Sequence, residues 1–74
     1  MPKLPRLSGK ELIRIIEKIG FKIVRIKGSH YILKHEDGRK TVIPVHSKEI
    51  IGPGLITKIL KDCEIQKDEL IKLL

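Results

Sequence analysis

His30 follows a Gly28-Ser29 pair and has Arg25, Lys27 and Lys34 within five residues of it. Imidazole is the side chain that can both take and give a proton near neutral pH without a perturbed pKa. Nearby Lys and Arg attract phosphate. A Gly-Ser turn adds backbone N–H groups and a hydroxyl that can approach a phosphate oxygen closely. These are the parts needed for phosphodiester chemistry on RNA, where the 2′-hydroxyl is itself the nucleophile and one well-placed base can suffice without a metal. A histidine on a solvated basic strand would give the same pattern, so the residue types alone leave both readings open. Ser29 reads as a turn residue that touches phosphate rather than as a nucleophile, because no Asp lies close enough to complete a triad.

The other candidates are weaker. Three histidines with a distant Cys63 match no zinc-ligand spacing, so neither a metal nor another cofactor is expected. His35 reads as an exposed strand-end residue. His46 reads either as a partner in the site or as a cap on a strand end. Cys63 stands at helical spacing from Ile59 and Leu60 and reads as a small core residue.

The elements that must position His30 are legible around it. Ser8 and Glu11 match a capping box, and Leu12, Ile13, Ile15, Ile16 and Ile19 form the apolar stripe of a helix over 9–19, stopped by Gly20. Residues 21–27 and 30–35 alternate in polarity around Gly28-Ser29, the signature of a type II′ hairpin. Asp37-Gly38 reads as a two-residue type I′ turn into a third strand, 40–45. Pro44 cannot donate to a ladder, so that strand should lie at an edge or end there. Gly52-Pro53-Gly54 leads into a helix bearing Leu55, Ile56, Ile59 and Leu60, and residues 68–74 read as a short last helix. Residues 1–7, with two prolines, read as an extended arm. The order is α-β-β-β-α with a helical tail (66–74). The fold class is therefore α+β, a three-stranded antiparallel sheet with helices on one face.

With Gly28-Ser29 as the turn, Lys27 faces His30, Arg25 faces Ile32 and Ile23 faces Lys34. Through Asp37-Gly38, Ile32 would pair with Ile43 and His30 with Val45. The His30 face would then mix Arg25, Lys27, His30 and Lys34 with Ile23, Ile32, Ile43 and Val45. This pattern does not decide which face carries the helices, although so many polar groups argue against full burial.

Composition bounds the rest. At 74 residues the chain has room for one domain, 1–74. Its 41% apolar content is too high for a disordered tail. No apolar run exceeds three residues, which argues against a membrane span, and the N-terminus has no apolar export segment, so the expected location is cytoplasmic. A single cysteine excludes a disulfide scaffold. Sixteen Lys and Arg against nine Asp and Glu give a net charge of +7. The whole excess lies before residue 49, where the balance is +8 against −1 for the remainder. That asymmetry suits a polyanionic partner met by one face, and it also suits simple solubility.

Gly20-Phe21, Arg25, Gly28-Ser29-His30, Asp37-Gly38, Val42-Ile43-Pro44-Val45-His46, Glu49-Ile50, Gly54-Leu55 and Ile59-Leu60 follow one another at close spacing. In this series the chain resembles the HicA family of toxin–antitoxin systems, over roughly residues 7–64. The resemblance implies a double-stranded-RNA-binding-domain-like fold and a metal-independent endoribonuclease, an mRNA interferase, neutralised by a HicB antitoxin. It also implies that the catalytic histidine is His30, with Gly28 and Ser29 as its motif partners. Arg25, Lys27 and Lys34 are expected to hold RNA backbone. Two readings compete with this one: a non-catalytic basic module that grips RNA by shape, and a partner-binding protein whose RNA activity has been lost. A shape-reading module has no use for a histidine at the turn.

Overall fold

Ser8 starts the first helix by accepting a hydrogen bond on its hydroxyl from the Glu11 N–H, while the Glu11 carboxylate accepts one from the Ser8 N–H at 3.0 Å. The computed structural model describes residues 4–74, in the order α1 (Gly9–Lys18), β1 (Lys22–Lys27), β2 (His30–Lys34), β3 (Lys40–Pro44), α2 (Pro53–Cys63) and α3 (Lys67–Lys72). The expected α+β architecture is present, with an antiparallel sheet in the order β1-β2-β3. Leu12, Ile13 and Ile16 of α1 and Ile56, Ile59 and Leu60 of α2 join Leu33 and Ile43 of the sheet in one core. Both helices pack on one face of the sheet, chiefly over β3.

The expected register needs two corrections. The first is at the β2–β3 connection. His35 N–H donates to the Arg39 carbonyl at 2.8 Å, and Gly38 N–H donates to the His35 carbonyl at 3.0 Å. With Gly38 at φ +100°, the loop has three residues, Glu36-Asp37-Gly38, rather than the two of a type I′ turn. The extra loop residue slips β3 by one position, so His30 pairs with Pro44, Tyr31 with Ile43 and Ile32 with Val42. The second is a β-bulge in β1 between Ile23 and Arg25, which pairs Ile23 with Leu33 and Lys22 with Lys34.

Because side chains alternate across a strand, these shifts settle which face is which. Leu33, Ile43 and Thr41 are buried under the helices, so Ile43 and Ile23 leave the His30 face where the sequence reading had placed them. The open face carries Arg25, Lys27, His30, Ile32, Lys34, Lys40, Val42 and Pro44. Val45 is not opposite His30; its N–H donates to the Ser29 carbonyl at 2.7 Å. Pro44 then falls at a non-hydrogen-bonded position of the edge strand, where its missing N–H costs no ladder bond.

Both chain ends contribute to this core. Of the expected arm, residues 1–3 lie outside the described residues, whereas Leu7 is buried and its carbonyl accepts from the Ile51 N–H at 2.8 Å. Gly9 packs so closely on the Pro44 carbonyl that a Cβ there would overlap it. That close approach holds the start of α1 against the strand end that faces His30. At the other terminus, Leu70 of α3 is fully buried, and Lys18 donates to the Leu73 carbonyl at 2.8 Å. The tail therefore seals one side of the core. Burial, with Asp62 alongside, pushes the Cys63 thiol up to about 12, so it is a neutral packing group as expected.

Candidate active site

The hairpin that carries His30 is shaped by Gly28, which sits at φ +61° and so supplies the primed-turn conformation. Nothing lies within 4 Å of where its Cβ would be, so the turn backbone is open to an approaching ligand. Ser29 is half-buried, and its carbonyl is tied to Val45 as described. His30 is the first residue of β2 and is exposed, with Lys27 opposite it on β1 and Pro44 opposite it on β3. The fold therefore gathers Lys27, Gly28, Ser29 and His30 at one end of the open face. Arg25, opposite Ile32, lies two positions further along.

Lys34 is not part of that cluster. It shares the face with His30 but lies four residues along the strand, about 13 Å away. There it stands between Lys22 on β1 and Lys40 on β3, forming a row of three lysines across the sheet. Neither outer lysine was singled out from the sequence, because placing them beside Lys34 requires the bulge and the three-residue loop. Like charges directly opposite one another destabilise a sheet. None of these lysines, nor Arg25 or Lys27, takes part in an ion pair among the described residues. The face is thus a run of unneutralised cations with one imidazole at its end. Such a run can follow a strand of phosphates while the imidazole moves a proton at one of them.

His35 is a correction. It is not a free strand-end residue but half-buried, with Nε2 at 3.1 Å from the Ile19 carbonyl and Nδ1 accepting from the Asp37 N–H at 3.1 Å. Its ring meets Phe21 edge-on at 5.3 Å, and Arg39 covers Phe21 at 5.2 Å. Arg39 also binds both Asp37 oxygens and donates to the Cys63 carbonyl at the end of α2 at 2.6 Å. The Arg39 N–H and guanidinium, with His35, hold the Asp37 carboxyl below its usual range. This cluster ties the β2–β3 loop to the C-terminal ends of α1 and α2, at the opposite end of β2 from His30. Only the Phe21, His35 and Arg39 side chains in combination mark it, and sequence spacing carries no signal for a contact across three elements.

His46 is exposed and follows directly on the Val45–Ser29 bond. Among the described residues, no group of three His, Cys, Asp or Glu side chains is placed to hold a metal ion. No helix there is long and apolar enough to cross a membrane.

A family model described as "HicA toxin of bacterial toxin-antitoxin" matches residues 9–65, from the start of α1 to just past α2. No curated protein matches the chain.

Proposed function

The chain belongs to the HicA toxin family, toxins of toxin–antitoxin systems that are generally RNases, and from that premise we propose that it is a metal-independent endoribonuclease acting on mRNA. The observation that carries this reading is an exposed His30 at a glycine turn, on the same open face as Lys27 and Arg25. In the proposed reaction, the neutral His30 imidazole takes the proton of a 2′-hydroxyl, which attacks the adjacent phosphorus. The phosphorane gains negative charge as it forms, and Lys27 with the N–H groups of the Gly28-Ser29 turn stabilises that charge. Arg25 and the distant Lys34 hold the backbone of the strand and fix its register.

A HicB-type antitoxin would silence the enzyme by covering the same face. Ile32 and Val42, framed by Arg25, Lys27 and Lys34, offer apolar anchors inside a charged rim. The +8 segment would steer an acidic protein onto them.

Cleavage should persist in EDTA and leave 2′,3′-cyclic phosphate and 5′-hydroxyl ends. Activity abolished by chelation and restored by Mg²⁺ would overturn the mechanism. The lysine row gives a second expected result. Lys34→Ala removes a like-charge contact, so it should leave stability unchanged or raise it by up to ~1 kcal/mol. The same change should weaken binding of single-stranded RNA and reduce the salt slope, d log K/d log[salt], by about 0.7. A salt titration of RNA binding beside thermal unfolding measures both, and an unchanged slope would take Lys34 off the RNA path.

A further inference from the structure

We propose that His46 is the second catalytic imidazole, the general acid that protonates the 5′-oxygen as it leaves; this rests on the reading of His30 as the base. Expelling an alkoxide at neutral pH requires a proton donor at the bridging oxygen. Lys27 is poorly matched to that task, since an ammonium ordinarily titrates near 10.4. An imidazole is well matched.

Three observations bring His46 to the site. His30 pairs with Pro44, and residues opposite one another in an antiparallel pair point to the same side. Val45, between Pro44 and His46, packs against the core, so strand alternation returns His46 to the Pro44 side. The intervening residue is fixed by the Val45 N–H to Ser29 carbonyl bond, and the chain turns away at once, with Glu49 N–H on the His46 carbonyl at 2.9 Å and Ser47 at φ +53°. A paired Cα separation of about 4.5 Å and two residues of strand rise place the His30 and His46 Cα atoms about 8 Å apart. A phosphodiester can sit between two imidazoles at that spacing.

The step balances. His30 accepts the 2′-hydroxyl proton as the 2′-oxygen bonds to phosphorus. The bond from phosphorus to the 5′-oxygen breaks, and that oxygen takes the proton of the His46 imidazolium. The products are a 2′,3′-cyclic phosphate and a 5′-hydroxyl, and proton exchange with water restores both rings.

The test uses an RNA oligonucleotide and its analogue in which the bridging 5′-oxygen at the cleaved position is sulfur. A thiolate leaves without protonation, because thiols ordinarily titrate near 8.5. His46→Ala should slow cleavage of the oxygen substrate by ~10²–10⁴-fold and cleave the sulfur substrate at close to the wild-type rate. His30→Ala should be slow on both. A His46→Ala variant unimpaired on the oxygen substrate, or equally impaired on both, overturns the assignment. Rescue of His30→Ala by sulfur reverses the roles and overturns it too. A wild-type chain that cleaves neither substrate defeats the ribonuclease reading itself, and this one with it.

Discussion

Replacing His30 by alanine is expected to lower RNA cleavage by ~10²–10⁴-fold, the usual loss of a general base, and to abolish growth inhibition on expression. Thermal unfolding should stay where it is. The side chain is exposed at the first position of β2, and it contributes nothing to the core formed by Leu33, Ile43 and the helices. A structural histidine would behave in the opposite way. His35 supplies that control: its ring joins the α1 C-terminus to the β2–β3 loop, so its loss should appear in stability before activity. A His30→Ala variant that cleaves at the wild-type rate would remove His30 from the mechanism.

The second large effect separates the two faces of the sheet. Ile43→Ala should cost about 2–5 kcal/mol, because Ile43 is fully buried between the sheet and the helices. A domain of this size has a total stability on the order of 4–11 kcal/mol, so that variant should be largely or wholly unfolded on warming. Ile32→Lys, one strand across and on the open face, should fold normally and bind the antitoxin more weakly. Chemical denaturation of both variants, with antitoxin titration of the second, gives the comparison. An Ile32→Lys chain that fails to fold would mean the open face is packed, and an unchanged antitoxin affinity would put the inhibitor elsewhere.

Local signals carried much of this fold. Ser8 and Glu11 announce a helix start by reciprocal capping, Gly28-Ser29 fixes a hairpin, and the 3.6-residue stripe of α1 needs no tertiary context. The hairpin alone sufficed to place Lys27 opposite His30. What local pattern did not carry was the identity of the two faces. Asp37-Gly38 is compatible with two-residue and three-residue loops, and the choice moves every β3 side chain to the other face. A bulge in β1 has the same consequence for Ile23, and nothing in Lys22-Ile23-Val24-Arg25 marks it. The lysine row and the Arg39 cluster were hidden for the same reason, since both depend on register or on contacts between distant elements. Family membership adds the class of activity and the existence of an antitoxin. The register adds which side of the sheet an RNA or an antitoxin can reach.

Action of His30 on the 2′-hydroxyl of RNA is tested by a single change of substrate. An oligoribonucleotide with a mapped cleavage position is compared with the same oligonucleotide carrying 2′-deoxyribose at that one nucleotide. With the nucleophile removed and every phosphate retained, binding should be nearly unchanged and cleavage at that position should disappear. Continued cleavage of the deoxy-substituted strand at the same bond would show that the nucleophile is water or a protein group, and that His30 does not act on the 2′-hydroxyl.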